Sequence, residues 1–180
     1  MKSSREILIE REDFMENAPG KFHRLKPGGE VRLRYGYIVK SEHVVKDSGG
    51  AIVELHCSYD PDTLVNNPEG RKVRGVIHWV SARLGIQAEV RLYDRLFTHP
   101  SPDKGEEGAE YTAYINPESL RTLTHCYLEA SLAEAQPGQQ FQFEREGYFC
   151  VDPDHSHARP IFNRTVTLRD TWAKLEMQKD

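Results

Sequence analysis

Arg32 and Arg34 stand two residues apart in the segment 21–40, KFHRLKPGGEVRLRYGYIVK. Read as one alternating strand over 31–39, this segment puts Val31, Leu33, Tyr35, Tyr37 and Val39 on one face. Arg32 and Arg34 then project together from the other face. Two guanidinium groups held on a rigid strand suit phosphates or base edges, because each offers a planar fork of donors. A solvated sheet face carries the same pattern, so spacing alone leaves both readings open. The basic side chains cluster. Residues 21–46 hold seven Lys/Arg against Glu30 and Glu42, and residues 71–95 hold six against Glu89 and Asp94. The net charge is −4, which excludes a protein that coats nucleic acid indiscriminately and points to local patches.

Other chemistry is sparse. There is no GxxxxGK[ST], no GxGxxG and no GxSxG. Cys150, His155 and His157 lie close together, but Cys-x4-His-x-His lacks the paired spacing of a zinc site, and no metal is expected. His78 lies in an apolar run and reads as a core or interface histidine. No carboxylate pair stands out as a general acid and base, so no catalytic residue is assigned. The chain reads as a binding module, or as part of an enzyme whose catalytic portion lies elsewhere.

The elements that must position these residues are short and alternating. Segments 6–10, 31–39, 51–59, 73–80, 88–97, 120–128, 141–151 and 161–168 read as strands. Turn signals separate them at 27–29, 47–50, 66–70 and 136–138. Residues 10–16, 81–84 and 131–135 suit a helical turn each, with Ser131 as N-cap and Glu134 at capping-box spacing. Residues 169–179 suit a fraying C-terminal helix. Residues 99–108, HPSPDKGEEG, read as an exposed connection between two barrels. This pattern predicts an all-β barrel or sandwich with a few short helices. With 180 residues, one core or two small barrels can be buried. Three dispersed cysteines fit reduced thiols in a cytoplasmic protein. No apolar run reaches membrane-span length, and the polar start MKSSRE gives no signal peptide.

Several blocks in order resemble the C-terminal anticodon-binding region of the glutaminyl-tRNA synthetase family: IEREDF (9–14), GGEVRLRYGYIVK (28–40), YDPDTL (59–64), GRKVRGVIHWVSA (70–82), EVRLYDRLF (89–97), INPESL (115–120), FQFEREGYFCVD (141–152) and FNRTVTLRDTWAK (162–174). The resemblance covers nearly the whole chain. It implies two ribosomal L25-like β-barrels, a distal one over 21–95 and a proximal one from 1–20 and 96–180. It also implies a tRNA partner met at the anticodon loop, and an N-terminal catalytic domain of the same protein that lies outside this chain. That domain uses ATP and Mg; the chain itself has no cofactor and no ligase activity alone. The family's first proximal strand, with one anticodon-contacting arginine, is absent here. A monomer with no membrane association is expected.

By the same resemblance, Arg32 and Arg34 match the pocket for the first anticodon base, Arg24 the third, and Gln142 and Arg145 the middle base. Lys21 and His23 match neighbouring contact positions, His23 standing where a lysine is expected. Single-stranded loop bases expose their Watson–Crick edges, so such reading is chemically reasonable. In one regular strand Gln142 and Arg145 face opposite ways, so a bulge or twist near 144–147 is required, and Gly147 permits it. Tyr148, Phe149 and Trp172 are read as core. Two alternatives remain. One is the similar barrels of a eukaryotic or archaeal glutamyl-tRNA synthetase, against which RLYDRLF and FEREGYFC count. The other is a free-standing L25-like rRNA-binding barrel, against which the charge and the two barrel-sized halves count.

Overall fold

Alternation in the first half of the chain produces six strands: β1 (Ile7–Leu8), β2 (Glu30–Leu33), β3 (Ile38–Lys46), β4 (Ile52–Asp60), β5 (Val76–Ile77) and β6 (Val80–Ser81). The structure is a computed structural model that describes residues 5–105 and 109–168. Four of these strands form a sheet in the order β4-β3-β2-β5, with β2 and β5 parallel and the other neighbours antiparallel. β1 pairs antiparallel with β6. On β2 the period of two is plain: Val31 and Leu33 are buried, while Glu30 and Arg32 lie half-buried on the other side. The buried side joins Phe14, Leu25, Val39, Ile77 and Trp79 in one core.

The second half contributes β7 (Ile86–Tyr93), β8 (Leu120–Leu128), β9 (Gln140–Phe143), β10 (Gly147–Val151) and β11 (Ile161–Val166). They form a sheet in the order β8-β7-β11-β10-β9, in which β7 and β11 run parallel. Ala88, Val90, Ala135, Phe149, Val151 and Phe162 make its core, and Phe143 stacks on Phe149 with ring centroids 4.3 Å apart. Beside that core Asp152 accepts from Arg91 at 3.0 Å and from the Asn163 amide, and Glu89 accepts from Arg91 and Arg159 at 2.7 and 2.8 Å. Among the described residues all helical segments are single 3-10 turns, so the fold is all-β. In hydrogen bonding all three sheets are open.

The chain divides into units at Arg83/Leu84. The division expected from the resemblance, 21–95 against 1–20 with 96–180, differs at both ends. Ile7–Leu8 pairs with Val80–Ser81 and so belongs with the first unit, and β7 pairs with β8 and β11 and so belongs with the second. For the same reason the segment from His99 lies inside the second unit and does not join two barrels.

Three expected strands are broken. Residues 31–39 are a hairpin, β2 and β3, whose turn is closed by Gly36 N–H donating to Leu33 O at 2.8 Å. Residues 141–151 are a second hairpin, β9 and β10, and 73–80 yields only the short β5 and β6. Residues 10–16 form a turn at Arg11–Asp13, while 81–84 is not helical. Ser131 is not a cap: its 3-10 turn, Ala130–Glu134, has Glu129 at the N-cap and no side-chain cap bond. The helix expected over 169–179 lies outside the described residues.

Candidate nucleic-acid interface

The hairpin changes what Arg32 and Arg34 can do. Arg32 remains on β2. Its Nη1 donates to Gly36 O at 3.1 Å and to Thr63 O, and its Nη2 donates to Asn66 O at 2.7 Å and Asn67 Oδ1 at 3.4 Å. The guanidinium therefore clasps the β2–β3 turn to the loop after β4. None of these four partners is a carboxylate, so they leave the positive charge uncancelled. Thr63 is itself buried, accepting from Ile38 N–H at 2.9 Å and donating to Asp60 O at 2.7 Å.

Arg34 sits in the turn, not beside Arg32 on a strand face. Its backbone is anchored on both sides: N–H to Ile77 O at 2.9 Å, and carbonyl to the Trp79 indole N–H at 3.0 Å. Its guanidinium carbon lies 4.9 Å from the centre of the Tyr35 ring. Tyr35 was expected on the buried face with Val31 and Leu33; it is 79% exposed, with φ of 55°. The turn rotates it out of the alternation. Tyr37 is half-buried against Tyr59, ring centroids 5.2 Å apart.

Arg24 is half-buried and tied inward. Its Nε lies 3.4 Å from Asp13 Oδ1, and its Nη1 donates to Glu12 O at 3.1 Å. Asp13 is fully buried, so Arg24 serves structure whatever else it meets. Lys21 and His23 are exposed. The His23 carbonyl is pressed on Gly75: a Cβ there would come within 2.0 Å of it. This fixes the path of residues 21–25 against β5.

In the second unit Gln142 is exposed on β9, directly opposite Tyr148 on β10. Arg145 is exposed in the β9–β10 turn with φ of 68°. The conflict between Gln142 and Arg145 on one strand disappears, because the chain reverses between them. Gly147 makes that reversal possible at φ of 144°; a Cβ there would lie 2.4 Å from Val166 O. Phe149 is buried as expected, whereas Tyr148 is 46% exposed and is not core. Trp172 lies outside the described residues. Tyr35 and Arg145 are the two non-glycine residues with positive φ among the described residues, and each marks the tip of a hairpin carrying expected RNA contacts.

Sequence reasoning missed both the exposed tyrosines and the loop that Arg32 clasps. Gly36 was the available signal: a glycine inside an apparent nine-residue strand marks a break. Cys150, His155 and His157 are engaged separately. His155 Nδ1 accepts from Ile161 N–H at 3.2 Å, and the His157 Nδ1–H donates to Ala133 O at 2.9 Å. Among the described residues no three His, Cys, Asp or Glu side chains are grouped to hold a metal, and no helix is long and apolar enough to cross a membrane.

Arginines with an exposed tyrosine, as on the first hairpin, and an arginine with an exposed amide and tyrosine, as on the second, are each suited to contacting unpaired RNA bases. Two family models described as the anti-codon binding domain of class I tRNA synthetases (E and Q) match residues 1–60 and 76–152, and the chain belongs to that family. Within it, the chain is similar to part of glutamine–tRNA ligase. It is 60% identical over 170 residues to the enzyme of Pseudomonas putida, and 56% identical over 172 residues to that of Azotobacter vinelandii. These matches cover 94% and 95% of the chain but only 30% and 31% of the relatives.

Proposed function

We propose that this chain is the anticodon-reading part of a glutamine–tRNA ligase. Glutamine activation with ATP and Mg would be carried by a catalytic domain outside the chain. The observation that carries the reading is the 60% identity to a glutamine–tRNA ligase across nearly the whole chain. The same reading places it in the cytoplasm as a monomer. Arg32 and Arg34 then serve the first anticodon base, Arg24 the third, and Gln142 with Arg145 the middle one. Lys21 and His23 contact the adjoining RNA. Arg32 acts with its guanidinium already held by the protein, so it lends its charge and its remaining Nε–H and needs little ordering on binding, whereas Arg24 shares its charge with Asp13 and has only its outer donors to offer.

The test is binding of glutamine tRNA and of the same tRNA with each anticodon base changed. The reading expects every changed anticodon to bind more weakly, and expects Gln142→Ala to weaken the discrimination at the middle base alone, Arg145 keeping its share. Base-edge contacts are worth on the order of 1–3 kcal/mol each. Equal affinity for all anticodons would overturn it, as would glutaminylation by this chain without any catalytic domain.

A further inference from the structure

The β2–β3 tip presents a tyrosine where local physics favours another residue. A left-handed turn position suits glycine or asparagine, and a bulky side chain there is disfavoured. Tyr35 occupies it with φ of 55°. Its ring is 79% exposed, so packing within the protein returns little. The tip is nonetheless rigid. Leu33 N–H donates to Tyr37 O at 2.9 Å, and the Arg34 backbone is held by Ile77 and Trp79. The Arg34 guanidinium stands over the ring at 4.9 Å, and the Arg32 charge is fixed to the same turn through Gly36 O. A flat, solvent-facing ring on a hydrogen-bonded turn, with the Arg34 guanidinium against it, suits a nucleobase swung out of its stack with its phosphate nearby.

We infer that Tyr35 is a stacking platform for one base of the anticodon loop, a role separate from the edge-reading arginines. This rests on the proposed anticodon-reading function. The ring accepts any base face, so it supplies affinity and holds the base still, while Arg34 supplies the edge donors. Replacing Tyr35 by asparagine removes the ring and relieves the left-handed backbone.

The experiment measures binding of an anticodon stem–loop RNA of glutamine tRNA to the wild-type chain, Tyr35→Asn and Tyr35→Phe, with thermal unfolding of each protein. Tyr35→Asn is expected to melt no lower than wild type yet bind about 5- to 150-fold more weakly, the range for loss of one stacked base. Tyr35→Phe is expected to bind like wild type. The measurements are then repeated on RNAs with each base of the anticodon loop in turn made abasic. On one abasic RNA the asparagine variant is expected to match wild type, because the stacked base is gone. Unchanged binding by Tyr35→Asn overturns the platform. So does an equal loss on every abasic RNA, which would mean that the ring only positions Arg34. A wild-type chain that binds the stem–loop but ignores its anticodon sequence overturns the function proposed above while leaving the stacking result readable. A wild-type chain that does not bind it overturns both.

Discussion

Arg32 donates to four carbonyl oxygens on two segments, the turn at Gly36 and the loop at Thr63, Asn66 and Asn67. A residue chosen from sequence as an RNA contact is therefore also a structural clasp. Removing it strands carbonyls around a buried Thr63. Arg32→Ala is expected to lower stability by about 2–3 kcal/mol, since hydrogen bonds from a charged group count most. Arg32→Lys should recover less than half of that, because an ammonium on a flexible stem cannot reproduce the planar fork. Urea unfolding of the three proteins checks this. Equal stability of wild type and Arg32→Ala would show that the clasp contributes nothing. The consequence for function is practical: a fall in RNA affinity in Arg32→Ala has to be read at a temperature where the variant is folded.

At the scale of elements, the two hairpins carry four of the seven expected readers, Arg32, Arg34, Gln142 and Arg145, and each hairpin depends on a turn that alternation hides. The polar side of β2 was legible because a period of two survives where one face is buried, and β8 at Leu120–Leu128 and the all-β class were legible from strand-forming residues set between turn signals. The reversals at 34–37 and 144–146 were signalled only by Gly36 and by the irregularity expected near Gly147, because Tyr35 and Arg145 are poor indicators of a left-handed turn and the flanking apolar residues keep the alternating pattern across the gap. The site was legible only as residue identities. That Arg24 is bound to buried Asp13, and that Arg32 holds a distant loop, depends on partners 11 and at least 31 positions away, which periodicity does not report. Gly147 tests the second hairpin. Gly147→Ala would combine left-handed strain with a Cβ placed 2.4 Å from Val166 O. It should cost about 2–4 kcal/mol. Gly138, at φ of 85° with open space around it, provides the comparison. Gly138→Ala should cost only about 1–2 kcal/mol from strain. Thermal melts that rank the two equally would mean that the Val166 contact yields freely.

For the molecule as a whole, the ion-paired carboxylates of the second unit and the basic run of the first answer to different variables. In the second unit Glu89 is held below the usual carboxylate range by hydrogen bonds from Arg159 and then Arg91. Burial pushes Asp152 upward, but hydrogen bonds from Asn163 and the Asp154 N–H, with the charges of Arg91 and Arg159, outweigh it and leave it lowered. A carboxyl lowered by folding stabilises above its unfolded pKa, and that contribution is lost as pH falls through the folded value. Asp152→Asn is therefore expected to be less stable than wild type at neutral pH, by about 1–3 kcal/mol. The gap should close on acidification below the ordinary carboxylate range; a gap in urea midpoints that ignores pH would place the effect outside the charge. Salt addresses the opposite sign. The chain carries −4 overall, yet residues 21–46 have seven Lys/Arg against two acids. If RNA is held by that patch, binding releases counterions and the affinity falls linearly on logarithmic axes with salt. Lys21 is exposed and cationic, so Lys21→Ala should flatten that slope by about 0.7–0.9 and weaken all anticodon sequences alike. Gln142 is exposed and neutral, so Gln142→Ala should leave the slope where it was and change only which base is preferred. Fluorescence titrations from low to physiological salt separate the two. A slope untouched by Lys21→Ala would remove that lysine from the phosphate contacts, and a slope altered by Gln142→Ala would mean that the second unit's hairpin sets how the RNA backbone docks.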